Sequence, residues 1–441
     1  VLVLLAGVSV SNYLDRAILG ILQQPIKQEL GLTDLQLGWI SGPAFALFYA
    51  SLGIPIARWA ERGPRVTILA LCLAVWSTAT ALCGSARNYL QLALCRMGVG
   101  LGEAGCTPVT HSLLSDYFPP WQRGMAMALL MTSVPCGQFL GALIGGVVAD
   151  LWSWRTAFLL VGAPGLLLAA ILRLTVKEPV RGVFDPAGSA DVAGSFKADL
   201  GVLLRIRPLR NILAAGATLG IGLYGVGIFI PAFFLRSYQL SLAGVGAITA
   251  VGIGGAALVG TLVGGYLSDR YAGASGRSYM MVPLVGALGY GAFLIATFNS
   301  ASWVMAFALL IVANIFGDLK NGPVYAAVQN IVRPRMRATA AALNLFCINA
   351  IGLGLGPPLV GAVSDRMAGR LFPDTLGEFA LRCSGEVATA LDGGVALAQA
   401  CATASAAGLR WSLVLASCWF FVAAVFYWRA SRAIRMNMSA A

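Results

Sequence analysis

The chain has 441 residues, of which 58% are hydrophobic and only 11% charged, with 53 glycines and a formal net charge of +12. A soluble domain carries about a quarter charged residues, so the composition excludes a water-soluble fold. The basic excess punctuates apolar runs instead of building the polar basic domain that a nucleic-acid binder needs.

Runs of the roughly twenty apolar residues that cross a bilayer fall at 1 to 24, 35 to 57, 66 to 86, 90 to 111, 124 to 148 and 155 to 174. Six more lie at 211 to 235, 244 to 267, 279 to 298, 302 to 326, 338 to 363 and 410 to 428. Backbone groups left unpaired in hydrocarbon are too costly, so each run is expected to be helical despite its Gly and Pro. The first run has charges at its middle and no small-residue cleavage site, which reads as a helix and not as a signal peptide. The expected fold is an all-α membrane protein of twelve transmembrane helices in two pseudo-symmetric six-helix bundles.

The expected organisation is an N-terminal bundle over 1 to 176, a polar cytoplasmic linker over 177 to 208, and a C-terminal bundle over 209 to 441. The linker is marked by Glu178, Pro179, Arg181, Asp185, Pro186 and Gly188. A second polar stretch, 364 to 409, carries Asp374, Glu378, Glu386 and Asp392, and reads as an extracytoplasmic insertion whose Ala-rich parts form a short surface helix. Cys383 and Cys401 share that loop and can pair if it faces an oxidising compartment. The other seven cysteines sit in apolar runs without CxxC spacing, as small apolar filler and not as a metal site.

The larger share of the 30 Lys and Arg falls in the even-numbered connections and the C-terminal tail, which places both termini in the cytoplasm. The strongest clusters are Arg58, Arg62 and Arg65, then Arg205, Arg207 and Arg210, then Arg333, Arg335 and Arg337, and Arg429, Arg432 and Arg435. An internal repeat shows at a shift of roughly 212 to 215 residues. Gly53 to Arg58 matches Gly265 to Arg270, and Pro119 to Gly124 matches Arg333 to Ala338. Duplication of a six-helix unit explains both.

Charge inside the membrane is the sharpest functional signal. A central Asp, Lys or Arg costs roughly 2.5 to 3.5 kcal/mol, yet Asp15, Arg16, Arg96, Glu103, Asp318 and Lys320 lie well within the first, fourth and tenth runs. Arg96 and Glu103 are two turns apart, roughly 10.5 Å, so their partners come from elsewhere, and Asp15 and Arg16 are the candidates. Gly98, Gly100, Gly102 and Gly105 surround Glu103 and leave room for close packing or for water. A dehydrated carboxylate favours its protonated form and a neighbouring Arg its ionised form. If Arg16 or Arg96 approaches in one conformation and withdraws in another, protonation is coupled to the opening of a cavity. The competing expectation is a permanent buried ion pair that locks two helices.

Asp318 stands at the repeat position of Glu103, with Gly317 matching Gly102 and Pro323 matching Pro108. Asp318 and Lys320 are expected to point about 200 degrees apart on a helix, so only one needs to face a cavity, and Lys320 can equally snorkel. His111, the sole histidine, is either a proton relay or an interfacial cap. Tyr224, Phe229, Phe233 and Phe234 on the seventh helix either line an apolar cavity or pack. No P-loop, HExxH or Gly-x-Ser-x-Gly element occurs, which disfavours an ATP-driven pump and an enzyme. No cofactor or metal is expected.

These residues resemble the major facilitator superfamily. Arg58, Arg62 and Arg65 after the second helix, and Asp269, Arg270 and Arg277 after the eighth, are similar to its cytoplasmic latch motif, although Ala57 stands where an acidic residue is usual and Pro64 interrupts. Ser133 to Gly137, with the glycines through Gly146, resembles the helix-5 motif of antiporter-like members. More narrowly, Asn12, Tyr13, Leu14, Asp15 and Arg16 with Arg96 and Gly102, Glu103 and Ala104 look like the spinster-type branch and its bacterial members. Animal relatives in that branch export sphingosine-1-phosphate or lysophospholipids.

The resemblance implies a proton-coupled carrier with an amphipathic cavity lined by helices 1, 4, 7 and 10; the expected working unit is an alternating-access monomer in a bacterial inner membrane. It implies that Asp15 and Glu103 are proton sites and that Arg16 and Arg96 are switching partners or headgroup anchors. Asn12, Tyr13, Tyr224, Phe229, Phe233, Asp318 and Lys320 become candidates for cavity lining. The expected function is exchange of protons for an amphipathic lipid-like molecule. A multidrug or organic-ion antiporter is the alternative within transport, and a channel or membrane sensor the alternative outside it.

Overall fold

A computed structural model of the chain describes residues 1–181, 196–271, 277–332, 336–373, 376, 378–383 and 394–438. Twelve long helical stretches appear among them, each overlapping one of the twelve apolar runs. In chain order they are α1 (Leu2–Leu30), α2 (Asp34–Arg62), α3 (Arg65–Cys83), α4 (Tyr89–Glu103 and Cys106–Tyr117), α5 (Pro120–Met131 and Ser133–Leu151) and α6 (Trp154–Thr175). There follow α7 (Arg207–Tyr238), α8 (Leu242–Arg270), α9 (Ser278–Phe298), α10 (Trp303–Asp318 and Asn321–Ile331), α11 (Arg337–Phe346, Cys347–Ile351 and Gly352–Leu371) and α12 (Gly394–Met438).

Eleven of these are long and apolar enough to cross a membrane. The exception is α4, whose two segments are each shorter than a span. Leu71, Leu82, Leu94, Leu160, Leu167 and Leu262 are all exposed on the outer faces. So much exposed aliphatic surface suits hydrocarbon and not water.

Helix boundaries follow local chemistry. The first helix stops at Gly31, whose φ of 63 is the left-handed conformation that a glycine adopts freely. Thr33 then starts α2 with a capping box: Gln36 N donates to Thr33 Oγ1 at 3.1 Å and Thr33 N donates to Gln36 Oε1 at 2.9 Å. Asn88, Ser153 and Ser241 cap α4, α6 and α8 in the same way, each accepting from the backbone N–H three residues on.

Two compact units emerge. The first comprises Val1–Ala190 with Gln239–Ala250 and Ala380–Ala398, and the second Asp191–Tyr238, Val251–Phe379 and Gln399–Ala441. Within the first, α1 packs on α5, α3 on α4 and α6, and α2 on α4. Within the second, α7 packs on α11, α9 on α10, and the remainder of α8 on α10. The same pairings recur one repeat apart, as duplication requires.

The deepest correspondence is a break. The α4 helix is interrupted at Ala104 and Gly105, and α10 at Leu319 and Lys320, in each case directly after the acidic residue of the repeat. Pro108 and Pro323 cause it. A proline has no N–H to donate to the carbonyl four residues back, which is that of Ala104 in one helix and Leu319 in the other.

Residues 364 to 409 depart from the sequence expectation. The preceding helix runs on to Leu371, and α12 begins at Gly394 instead of near 410. Its Ala-rich start has high helix propensity, so what reads as a separate surface helix is the overhang of a 45-residue helix. Cys383 and Cys401 are disulfide-bonded, and the remaining seven cysteines are free. Asp374, Glu386 and Asp392, the linker residues Asp185, Pro186 and Gly188, and Arg333 and Arg335 lie outside the described residues.

Close approach at two glycines fixes the first unit. A Cβ at Gly102 would lie 2.6 Å from Trp76 N and 2.7 Å from Cys72 O, so α4 touches the backbone of α3 there. A Cβ at Gly137 would lie 2.6 Å from Val10 O on α1. Gly102→Ala and Gly137→Ala are each expected to destabilise the protein by about 1–3 kcal/mol through overpacking. Gly227→Ala, whose methyl would meet nothing within 4 Å, is expected to be neutral. Thermal unfolding of the purified variants in detergent checks the contrast.

Candidate functional site

The four ionisable groups expected from α1 and α4 come together inside the first unit. Arg16 Nε donates to Glu103 Oε2 at 2.7 Å, with Glu103 fully buried and the Arg16 side chain 23% exposed. Asp15, 1% exposed, accepts a hydrogen bond from Thr80 Oγ1 on α3 at 3.1 Å. It also interacts electrostatically with Glu103, Arg96 and Arg16. Residues 12, 15 and 16 share a helical face, which explains how a short stretch of α1 supplies Asn12, Asp15 and Arg16 to one place.

Aromatic rings hold the two cations. The Arg16 guanidinium lies 5.4 Å from the Tyr13 ring centroid, 5.0 Å from Phe45 and 4.8 Å from Tyr49. Arg96 lies 5.3 Å from the Phe45 centroid, so one ring on α2 serves both arginines. Such contacts attract a cation without neutralising it and are worth about 0.5–2 kcal/mol each. Arg96 is otherwise poorly served: it is 3% exposed and its Nε has no hydrogen-bond partner.

The cluster is incompletely satisfied. Glu103 Oε1, Asp15 Oδ1 and Asn12 Nδ2 are buried without hydrogen-bond partners. Asn12 lies beside the Glu103 carboxylate without reaching bonding geometry. An unsatisfied buried polar atom costs about 1–3 kcal/mol. Three in one cluster mark a place that holds hydration or rearranges, unlike a finished structural ion pair. Next to Asn12 is a cavity of about 30 Å³, whose wall includes Ser9, Tyr13, Cys106, Thr107 and His111.

The second unit is different. Asn321 Nδ2 donates to Asp318 Oδ1 at 2.9 Å, and Lys320 Nζ lies 3.7 Å from the same oxygen while donating to Gly317 O at 2.6 Å. The expectation that Asp318 and Lys320 diverge is therefore corrected. It assumed an unbroken helix, and the interruption at Leu319 lets Lys320 fold back as a cap on the last turn. The cavity-lining candidates Phe229 and Phe233 lie on α7. Both are buried, and Phe233 packs edge-on to Phe234, Tyr238 and Phe298. Tyr224 is half-buried and donates to Asn349 Oδ1 at 2.5 Å, within the π-helical segment Cys347–Ile351 of α11.

Of the latch candidates, Arg58, Arg62, Arg270 and Arg277 are exposed, and Asp269 accepts from Tyr279 Oη at 3.2 Å. Arg65 is 3% exposed. It pairs with Asp116 at the end of α4, donates to Ser112 Oγ at 3.1 Å, and donates to Glu178 Oε1 at 3.0 Å and Pro179 O at 3.2 Å after α6. Arg181 Nη2 donates to the carbonyls of Ala60 and Gly63 at the end of α2. Thus Arg65 ties the ends of helices inside one unit.

Thr80, Phe45 and Tyr49 were absent from the sequence reading. Thr80 carries a weak signal, since Ser77, Thr78 and Thr80 interrupt an otherwise apolar run. Nothing in the sequence distinguishes Phe45 from a packing residue.

Comparison with known proteins adds an independent line. Residues 5–357 match a family model described as Major Facilitator Superfamily. The chain is 34% identical over 373 residues to an MFS-type efflux pump of Mycolicibacterium smegmatis, covering 85% of this chain and 86% of the relative. It is 24% identical over 380 residues to the sphingosine-1-phosphate transporter of Danio rerio, covering 81% of this chain and 74% of the relative. Crystal structures of a bacterial homologue of the human lysosomal transporter Spinster, inward-facing and either unoccupied or occupied, align with a TM-score of 0.87 at 33% identity, covering 99% of this chain and 97% of theirs.

Thr80→Val keeps the shape of the side chain and removes the hydrogen bond to Asp15. Because Asp15 Oδ1 already lacks a partner, the variant is expected to lose about 1–3 kcal/mol. Thr78→Val, an exposed neighbour that bonds only its own helix at Ala74 O, is expected to stay within about 0.5 kcal/mol of the parent. Chemical or thermal unfolding in detergent measures both.

Proposed function

The chain belongs to the major facilitator superfamily, and from that premise we propose that it is a proton-coupled carrier for amphipathic, lipid-like molecules, with Asp15 and Glu103 as its proton sites. As a multi-pass membrane transporter it works between a bilayer and a small-molecule substrate. The observation that supports the finer reading is the Arg16–Glu103 pair: a fully buried carboxylate with one oxygen unpartnered, joined to a guanidinium that retains access to solvent.

The coupling follows from charge. While Glu103 is ionised it holds Arg16, and removing one partner from such a pair costs about 3–5 kcal/mol. A proton on Glu103 cancels the attraction and leaves the guanidinium, braced by Tyr13, Phe45 and Tyr49, to an anionic headgroup. Proton and anion then favour each other's binding by the same factor. A cationic cargo would compete with the proton instead, which gives exchange. The multidrug or organic-cation antiporter therefore stays as the second reading, favoured by the relative named as an efflux pump.

In orientation, the excess of Lys and Arg in the even-numbered connections supports cytoplasmic termini in a bacterial cell, and the paired Cys383 and Cys401 support an extracytoplasmic position for the connection between α11 and α12, because disulfides persist on the oxidising side. We take the working unit to be a monomer.

In proteoliposomes, Glu103→Gln and Asp15→Asn are expected to abolish transport driven by a pH gradient while leaving the protein folded. A panel comparing lysophospholipids with cationic dyes distinguishes the two cargo classes, with proton uptake accompanying an anion and proton release accompanying a cation. Wild-type rates in both variants would remove these carboxylates from the mechanism.

For orientation, a membrane-impermeant reductant added to intact cells is expected to free Cys383 and Cys401 for thiol labelling. Labelling that requires permeabilised cells would reverse the assigned topology.

A further inference from the structure

The cavity beside Asn12 has a composition that the ion pair does not explain. At about 30 Å³ it is large enough to hold ordered water. Asn12 and Thr110 on its wall are 3% and 1% exposed, and Asn12 Nδ2 and Thr110 Oγ1 have no hydrogen-bond partner. Beyond Asn12 stands Glu103 with Oε1 equally unpartnered. On the wall farther along α4 stands His111, half-buried and the only histidine in the chain.

Glu103 and His111 lie on either side of the break in α4, eight residues apart, and His111 is on the cavity wall. Thr110 lies about one turn beyond the break at Ala104 and Gly105, and its buried hydroxyl is on the wall of the same cavity as Asn12 and His111. The titratable groups that face His111 across the cavity are Tyr13 from α1 and Cys106 from α4 itself, with the Arg16–Glu103 pair behind them. The α5 wall contributes Leu130, Met131 and Val134, none of which titrates.

We infer that this cavity is a proton-delivery spur and that His111 is the group that loads it. The imidazole accepts a proton on one ring nitrogen and releases another from the opposite nitrogen to water in the cavity. That water, held by Asn12 and Thr110, gives a proton to Glu103 Oε1. One proton moves, His111 returns to its neutral form, and the neutralised Glu103 releases Arg16. The inference rests on the proton-coupled reading above and adds a route to it, separate from the opening through which cargo reaches Arg16.

Time-resolved infrared spectroscopy of the purified full chain after a rapid drop in pH tests this without knowledge of the cargo. The carboxyl band of protonated Glu103 is identified by its loss in Glu103→Gln. In His111→Ala its appearance is expected to slow by about 100-fold, within the range for a positioned acid–base group, and free imidazole is expected to restore it. Thr110→Val, which removes the hydroxyl at nearly constant volume, is expected to slow the band without rescue. Equal rates in His111→Ala and the parent, or slowing that imidazole does not reverse, overturn the assignment of His111. An unaltered rate in Thr110→Val overturns the route. A parent spectrum with no Glu103 band overturns the proton-coupled reading itself.

Discussion

Hydrocarbon tolerates charge only when each charged group is given a partner, and the whole first unit is arranged around that demand. Glu103 can stay ionised at zero exposure because Arg16 reaches it, and Arg16 can reach it because α4 is pressed against its neighbours by residues without side chains. Asp15 depends on Thr80 across α3, and Arg96 depends on the face of Phe45 from α2. Four helices thereby contribute to a cluster in which the two carboxylates and two guanidiniums of α1 and α4 cancel when all are ionised. Adding or removing a single proton upsets the sum. Sensitivity of that kind is useless in a scaffold and valuable in a machine driven by an ion gradient.

The two units share a plan but not a chemistry. Each breaks its fourth helix after an acidic residue for the same reason, a proline that deprives one carbonyl of its donor. In the first unit the acid is Glu103, buried and linked to another helix. In the second it is Asp318, partly exposed and bonded to the adjacent Asn321 and Lys320. A polar contact between α7 and α11 in the second unit is neutral, Tyr224 to Asn349, at a π-helical turn of α11. Such turns widen a helix locally and often accompany function. Duplication supplied the frame, and divergence concentrated the ionic chemistry in one copy.

Most of the architecture was legible because hydropathy in a membrane protein is a direct record of the solvent. The twelve helices, the fourth included, could be placed from apolar runs, and the cost of intramembrane charge singled out Asp15, Arg16, Arg96 and Glu103. The candidate partner of Glu103 followed from asking which other helix carried opposite charge. What stayed hidden depended on tertiary contact. Phe45 looks like any core aromatic until two arginines are seen on it, and the packing of Phe233 against Phe298 is equally invisible in the sequence. Asp318 and Lys320 misled because an ideal helix was assumed across a proline-induced break. The start of α12 misled because the fall in hydropathy before residue 410 was read as the boundary of a separate surface helix, when the alanine content carries one helix through it.

The Arg65 network changes where one half of the molecule ends. Glu178, Pro179 and Arg181 follow the sixth helix and would be assigned by hydropathy to the connecting segment, yet they return to seal the ends of α2, α3 and α4. Dividing the gene at residue 176 to express the halves separately would strip Arg65 of a carboxylate and uncap α2. A seam placed beyond Arg181 keeps those bonds within a single polypeptide, and the usable tether between halves is shorter than the polar sequence implies.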